Sequence, residues 1–280
     1  MVHIITDSAA DFEPWELEKL QITCIPLTVT FGDREYQENI NLSKDQFYDL
    51  LKTSGEFPVT AQASPQILID LFEAARDQGE EAVYICLSSA LSGTYQTACM
   101  AQQMAGYAGN YVLDSRNATG GQRMLVEYAV KLRDEGKTAA QIIAQVEQLR
   151  SRIVLYACID TLENLYRGGR ISRTVYTIGS MAQIKPIIRV AEDGGITVPG
   201  KAMGMRKGMD TLCKQIQKQL PSADFPLYVM YTDNKQIAEA LAQQIRAAGF
   251  QVPEEHIIQV GAAIGTHIGI NACGFVYISQ

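Results

Sequence analysis

The sequence has no run approaching the roughly 18 apolar residues that a membrane-spanning helix requires, so no stable membrane insertion is predicted. Its first residues, MVHIITDS, lack the basic stretch, the long apolar stretch and the small-residue cleavage site of a secretory signal peptide. Internal repeats and low-complexity tracts are also missing. These absences predict a globular protein located in the cytoplasm.

The chain has fewer basic than acidic residues, with 24 Lys and Arg against 31 Asp and Glu, and its formal net charge is −7. Non-specific nucleic-acid binding needs clustered Lys and Arg for phosphate contacts, so no nucleic-acid partner is expected. None of the six cysteines forms a CxxC pair, and the three histidines lack metal-ligand spacing with one another or with cysteine. Neither a metal nor another cofactor is therefore predicted.

The short motifs of common enzymes are missing as well. Gly195 to Lys201 has the spacing of a P-loop, but Ala202 stands where that motif needs a hydroxyl for Mg²⁺. No G-x-G-x-x-G follows a predicted strand, and no G-x-S-x-G nucleophile elbow occurs. The chain is accordingly not predicted to be an enzyme, although an unfamiliar hydrolase or transferase site stays open as an alternative.

What the sequence does have is an alternation of β-like apolar runs with helical patterns along its length. The predicted strands are His3–Thr6, Thr23–Phe31, Ala82–Leu87, Tyr111–Leu113, Ile153–Ile159, Ile184–Val190, Ile196–Val198, Leu227–Tyr231, Ile257–Val260 and Phe275–Ile278. The predicted helices of the first half are Pro65–Arg76, Thr94–Ala105, Gly121–Glu135 and Thr138–Arg150. The order predicts two α/β domains, residues 1–155 with a mostly parallel sheet and residues 156–280 with a mixed sheet containing a hairpin loop at 191–195.

Polar turns adjoin several of these predicted strands. They are Thr6–Ser8, Thr60–Ser64, Ser88–Tyr95 and Asp114–Ser115. In open α/β sheets, ligands bind at the carboxyl ends of strands, where helix N-termini offer N–H groups to an anion. The turns thus indicate a shared anion site, although Ser and Thr are also the usual helix N-caps.

One segment, residues 164–207, is basic within an acidic chain. It contains two acidic residues, Glu192 and Asp193, and eight basic ones: Arg167, Arg170, Arg173, Lys185, Arg189, Lys201, Arg206 and Lys207. This segment is either a solvated face, a site for an anionic ligand or a docking surface for an acidic partner.

Seven motifs, in order along almost the whole length, resemble those of the DegV family, whose members are bacterial proteins that bind a fatty acid between two α/β domains. They lie at Thr6–Asp11, Thr60–Ser64, Ser88–Tyr95, Asp114–Ser115, Leu162–Ile171, Ile184–Ile187 and Gly265–Gly269. The Ser88–Tyr95 segment matches the family's S-S-x-L-S-G-T-Y closely. The departures are Ala61 and Ala63 in a T-S-Q-P-S turn, the less typical Ala118–Gln122, and Ile270 at a frequent proline position.

The resemblance implies a fatty-acid carrier. The residues that would hold the carboxylate of an acid such as palmitate, stearate or oleate are Thr60, Ser92, Gly93, Thr94 and His267. Arg170 would lie near the pocket mouth, where a partner fatty-acid kinase docks and converts the bound acid to an acyl phosphate for phospholipid metabolism. A sensor of a different small acid is the second alternative, beside the enzyme that uses the same turns.

Methionine adapts to variable shapes, so several methionines are candidate liners of an acyl tunnel. They are Met100, Met104, Met124, Met181 and Met203. For most of them, however, ordinary core packing is the expected role.

Overall fold

The computed structural model describes residues 1–179 and 183–280, whose strands form three sheets. In chain order the strands are β1 (Val2–Asp7), β2 (Ile22–Ile25), β3 (Thr28–Phe31), β4 (Arg34–Gln37), β5 (Val59–Ala61), β6 (Glu81–Cys86), β7 (Asn110–Asp114), β8 (Ile153–Cys158), β9 (Ile184–Val190), β10 (Ile196–Met203), β11 (Leu227–Tyr231), β12 (Ile257–Gln259) and β13 (Cys273–Ile278). The helices are α1 (Pro14–Leu20), α2 (Lys44–Thr53), α3 (Pro65–Gln78), α4 (Thr94–Ala105), α5 (Thr119–Asp134), α6 (Ala139–Arg150), α7 (Glu163–Arg167), α8 (Arg173–Gly179), α9 (Gly204–Lys218), α10 (Lys235–Ala247) and α11 (Ala262–Ile268).

The sheets differ in the direction of their strands. The first has the order β2-β1-β6-β7 and is parallel throughout. The second has the order β10-β9-β8-β13-β11-β12, in which β11 and β12 are parallel and the other neighbours antiparallel. The third is a small antiparallel sheet, β4-β3-β5. The predicted α/β class, with a parallel sheet early in the chain and a mixed sheet later, is confirmed.

Helix α5 joins the two large sheets. Leu125 in this helix packs in the same core as Val83 of β6 and Val276 of β13. Gly120, in its first turn, allows close approach to the second sheet, because a Cβ there would lie 2.6 Å from Val276 Cγ1. The predicted division of the chain at residue 155 falls inside β8 and stays a prediction.

The predicted hairpin around residues 191–195 is present between β9 and β10. The N–H of Ala191 donates to the backbone oxygen of Gly195 at 2.8 Å, and Gly194 has a φ of 85°, which suits glycine. The hydroxyl of Ser88 donates to the backbone oxygen of Gly194 at 3.0 Å. This hydrogen bond connects the hairpin loop to the turn that follows β6.

The prediction of a single strand at Thr23–Phe31 is wrong. Strand β2 belongs to the parallel sheet and β3 to the small antiparallel sheet. Pro26 separates them because it lacks the N–H that a strand ladder uses. The N–H of Leu27 donates to Ser8 Oγ at 3.0 Å, outside any ladder.

The helices predicted for the first half are confirmed, with starts and ends within two residues of α3, α4, α5 and α6. Helix α6 begins after Thr138, whose Oγ accepts the N–H of Gln141 at 3.4 Å in a capping box. Both ends of α4 coincide with the prediction.

The candidate methionines that the structure describes do not line the cavity described below. Met100, Met104 and Met203 are 58%, 68% and 55% exposed. Met100 and Met104 share the solvent face of α4, because the opposite face is taken by small buried alanines. Met124 is buried in the core and does not line the cavity described below. Met181 lies outside the described residues.

Candidate ligand-binding site

A cavity lies where the three sheets meet. Its volume is about 240 Å³, whereas one water molecule takes up about 30 Å³ in the liquid. The cavity therefore has room for a much larger molecule. Its wall includes residues from β5, β8, β9, β11, α11 and the turn after β6.

Most of the wall is apolar, and the alternation of side chains along the strands explains why. Leu155 and Ala157 face the cavity from β8, and Ile188 and Val190 face it from β9. Each pair is two residues apart, so both members project from the same face of the sheet. Met230 adds a flexible thioether from β11.

Thr60 and His267 lie together on the polar part of the wall. Thr60 is in β5 and His267 in the last turn of α11, and His267 Nε2 is 3.0 Å from Thr60 Oγ1. Burial, followed by the positive charge of Arg170, lowers the pKa of His267 to about 4. The imidazole is therefore neutral near pH 7 and offers one N–H and one lone pair.

Gly168 makes room for this imidazole. A Cβ at Gly168 would overlap His267 Nδ1, so glycine is required for the ring to lie where it does. That nitrogen is buried and has no hydrogen-bond partner among residues 1–179 and 183–280. Gly168 was not predicted as a site residue, although it belongs to the Gly-Gly-Arg motif that the sequence reveals.

Ser92 and Gly93 enter the wall from the turn before α4. Ser92 Oγ accepts the N–H of Thr94 at 3.2 Å and lies 2.9 Å from Thr94 Oγ1, so it also satisfies the first N–H of the helix. Gly93 contacts Gln62, another lining residue, closely enough that a Cβ would overlap Gln62 Oε1. Thr94 itself is fully buried behind the wall, where its hydroxyl accepts the N–H of Ala63 at 3.4 Å.

Arg170 also lines the cavity and is half-buried. Its Nε donates to the backbone oxygen of Leu91 at 2.9 Å, and its Nη1 donates to that of Gly168. Burial lowers the pKa of the guanidinium, which is still cationic near neutral pH. Within the described part of the chain, Arg170 is the lining residue with a permanent charge.

Two of the four predicted polar turns do not reach the cavity. Asp7 is buried beside the first sheet and accepts hydrogen bonds from the N–H of Leu87, the hydroxyl of Tyr84 and the amide of Gln122. Asp114 accepts the N–H of Ser89 at 3.1 Å. These carboxylates connect strand ends to neighbouring turns and helices by hydrogen bonds. Of the four predicted turns, only those at Thr60 and Ser92 therefore remain as parts of the predicted anion site.

Across the two described ranges, no group of three His, Cys, Asp or Glu side chains could hold a metal ion. None of the helices in those ranges is long and apolar enough to cross a membrane.

The fold and site define an α/β protein with an internal, mostly apolar cavity. The chain belongs to the DegV family, described as uncharacterised proteins, whose model matches residues 1–280. A DegV domain-containing protein of Clostridium perfringens is 33% identical over 284 residues, which cover 99% of this chain and 97% of that protein.

Two solved structures whose ligand class is known are similar to this chain over its whole length. A DegV family protein from Thermus thermophilus, described by its fatty-acid binding, has a TM-score of 0.89 at 26% identity, covering 100% of this chain and 99% of that chain. DegV from Bacillus subtilis, described as a fatty-acid-binding protein, has a TM-score of 0.83 at 28% identity, with 100% and 99% coverage.

Proposed function

We propose that the protein binds a long-chain fatty acid in this cavity and presents it to a partner fatty-acid kinase for acyl-phosphate formation. The carboxylate would lie at Thr60, Ser92 and His267, with the backbone around Gly93 beside it. The observation that carries the proposal is the contact of Thr60 with His267 in a mostly apolar wall that Ser92 and Gly93 also line. The fatty-acid binding of the Thermus and Bacillus relatives supports the same ligand class.

The apolar wall suits the acyl chain energetically. A 16-carbon acid has about 14 methylenes, and each contributes about 0.8 kcal/mol when buried, or roughly 11 kcal/mol before the cost of association. Hydrogen bonds to a carboxylate contribute only about 1.5–3 kcal/mol each. The wall would therefore supply most of the affinity, and the polar groups would set the orientation of the acid.

The polar groups suit a carboxylate because they provide donors and positive charge. A buried carboxylate is costly unless it is hydrogen-bonded or paired. Thr60 and Ser92 carry hydroxyls, neutral His267 can donate one N–H, and Arg170 adds a cation. The described lining residues include no Asp or Glu that would repel the acid.

The same geometry favours binding over acyl transfer by the chain itself. A serine nucleophile needs a base within hydrogen-bonding reach. Ser92 Oγ is bonded to Thr94, whereas His267 Nε2 is bonded to Thr60. With a pKa of about 4, His267 is also a weak base near neutral pH. We therefore propose a carrier and not an enzyme.

Presentation to a kinase would use the surface next to Arg170. Arg167 and Arg173 are exposed on either side of it in sequence, and Arg167 lies over the ring of Phe57 at 4.0 Å. Neighbouring exposed positive charges favour association with an acidic partner. We propose a kinase as the partner because of the family resemblance and because of these exposed arginines.

The test is extraction of protein purified without added lipid. Denaturation followed by mass spectrometry should release a saturated or monounsaturated acid of about 14 to 18 carbons, a length set by the burial needed for tight binding. Delipidated protein should gain thermal stability from palmitate or oleate and little from octanoate, the short-chain control. No extracted acyl chain and no stabilisation by long acids would contradict the proposal.

A further inference from the structure

Two buried carboxylates lie at the N-terminus of α11, the helix that forms one side of the cavity. Glu38 Oε1 accepts the N–H of Ala262, and both carboxylate oxygens of Glu38 lie 3.4 Å from the nitrogen of Ala263. Asp11 Oδ1 accepts the N–H of Gly261 at 2.9 Å. The first N–H groups of a helix have no partner inside it. The two carboxylates together therefore cap α11.

These carboxylates meet at Gly261. A Cβ there would overlap Glu38 Oε1 and lie 3.0 Å from Asp11 Oδ1. Glu38 is 2% exposed and Asp11 is 1% exposed, so solvent screens neither charge. Burial, followed by the negative charge of Asp11, raises the pKa of Glu38 to about 7. Burial also raises the pKa of Asp11 to about 6, against the opposing charge of Lys44.

Cys24, Lys44, Tyr48 and Arg123 face this pair from the surrounding elements. Glu13 and Asp233 lie further out, where Glu13 pairs with Lys44 and Asp233 acts on Tyr48. Lys44 Nζ donates to the backbone oxygen of Asp11 at 2.9 Å. Burial raises the pKa of Cys24 and of Tyr48 well above neutrality, so both are uncharged there. The charge that changes around neutral pH at this end of α11 is therefore that of Glu38 and Asp11.

The pair is connected to the cavity by two routes. Thr119, which lines the cavity, donates its hydroxyl to Asp11. Helix α11 supplies Ala263, Ile264 and His267 to the wall. With seven residues the helix is only about 10 Å long, so a displacement at its first turn also moves its last turn.

We propose that Glu38, together with Asp11, is a proton-sensitive positioning residue for the ligand site. Its ionised carboxylate holds α11, and with it His267, in the arrangement that binds the fatty-acid head group. Its protonation loosens this hold and weakens binding. The inference rests on the proposed fatty-acid binding and assigns a regulation to the same site.

The direction of the pH dependence follows from the helix end. An ionised carboxylate is attracted to the positive end of a helix, and a neutral one loses that attraction, which changes an equilibrium constant by up to about fivefold and sets the expected size of the effect on affinity. Affinity should therefore fall as the pH decreases from 8 to 6. The raised pKa of Glu38 means that the folded state binds its proton more readily than the unfolded chain, so stability should rise over the same decrease. Because affinity should fall while stability rises, a loss of affinity at low pH cannot be attributed to unfolding of the protein.

The experiment compares wild type, Glu38→Gln and the control Glu35→Gln, an exposed residue of β4, from pH 8 to 6. The comparison cancels the titration of the ligand, a fluorescent long-chain fatty acid. Wild type and the control should bind about fivefold more tightly than Glu38→Gln at pH 8, and this difference should largely disappear by pH 6. Asp11→Asn should move the midpoint of the wild-type profile to lower pH, because it removes the charge that opposes ionisation of Glu38.

A second measurement uses wild type alone and needs no ligand. The ring NMR signals of His267 in lipid-free protein should shift with a midpoint near pH 7, although the pKa of this imidazole is about 4. Parallel pH profiles for wild type and Glu38→Gln, or a His267 signal that is constant from pH 8 to 6, would overturn the positioning role. Failure of wild type to bind any long-chain fatty acid at pH 8 would reject the proposed function, and the NMR titration would still decide whether Glu38 positions His267.

Discussion

Thr60 and His267 are 207 residues apart in the chain, yet Thr60 Oγ1 lies 3.0 Å from His267 Nε2. Thr60 comes from a strand of the small antiparallel sheet, and His267 comes from the last turn of α11. Their contact closes one part of the cavity wall with two groups that can both bond a carboxylate. Several expected outcomes depend on it.

Replacing Thr60 by valine tests the hydroxyl in this contact. Because Thr60 lies within β5 and is not a helix cap, Thr60→Val should lower fatty-acid affinity by about 1–2 kcal/mol and change stability little. Displacement of a fluorescent fatty acid measures the affinity, and thermal melts of lipid-free protein measure the stability. Thr197→Val, at an exposed position of β10, is the matched control. A lower melting temperature with unchanged affinity would make Thr60 a structural residue only.

Ser92→Ala should affect both quantities. The hydroxyl accepts the N–H of Thr94, so its loss should lower the free energy of unfolding by about 1 kcal/mol. It also lines the cavity, so fatty-acid affinity should fall by a similar amount, and the double variant with Thr60→Ala should lose about 1–3 kcal/mol of binding. Urea titrations and fatty-acid titrations separate the two losses. If only unfolding changes, Ser92 is a cap and not a ligand.

Gly168→Ala tests the room made for the imidazole. The added methyl would displace His267, so affinity should fall about tenfold, or about 1.4 kcal/mol. The free energy of unfolding should also fall, by about 1–3 kcal/mol, because the methyl overpacks a buried ring, so affinity is compared on protein shown to be folded. Gly200→Ala is the control, since its nearest neighbour would be 3.9 Å away. Equal affinities of the Gly168 variant and wild type would show that the ring position does not matter for binding.

Much of this arrangement can be predicted from the sequence, because the signals are local. Apolar periodicity over more than ten residues predicts α3 to α6, and the Ser-Gly and Gly-Gly-Arg turns indicate where the site lies. The small sheet was missed because β4 and β5 have four and three residues and are largely exposed, which leaves too little pattern. The capping of α11 by Asp11, 250 residues before Gly261, has no local signal at all.

The site residues were harder to predict one by one. Ser92 and Thr94 are two positions apart in the same turn, and only the fold decides that Ser92 faces the cavity and Thr94 the core. Arg170 was predicted near the pocket mouth as a docking residue. Its bonds to Leu91 and Gly168 place the guanidinium in the wall, so a purely external role is no longer the simplest expectation.

Arg170→Ala should accordingly reduce binding as well as transfer. Removing the permanent positive charge of the described wall should lower fatty-acid affinity by about 1–2 kcal/mol. If the proposed partner kinase docks here, acyl-phosphate formation should remain reduced at saturating fatty acid, because rim charges steer association. Arg34→Ala, an exposed residue on β4, is the control. Full recovery of transfer at saturation would confine Arg170 to the pocket, and unchanged affinity would confine it to docking.

His267 should also make the stability of the protein sensitive to acid. Burial and the nearby Arg170 lower its pKa to about 4 from the ordinary 6.5, so the unfolded chain takes up a proton at a higher pH than the folded one. The contribution of the neutral imidazole is present in full above about pH 6.5 and is lost as the pH falls towards 4. This pKa difference corresponds to a loss of about 3 kcal/mol in the free energy of unfolding. The measured loss should be smaller, because local opening of the structure lets solvent reach the imidazole.

The measurement is urea unfolding of lipid-free protein at several pH values between 7 and 4.5. Wild type should lose more stability over this range than His267→Gln, because carboxylate contributions are common to both proteins and cancel in the difference. Thr197→Val, at an exposed position of β10 and without loss of a titrating group, is the control and should keep the pH dependence of wild type. If wild type and His267→Gln lose stability in parallel, the imidazole is not held neutral by the fold, and a neutral donor at the head group could no longer be assumed.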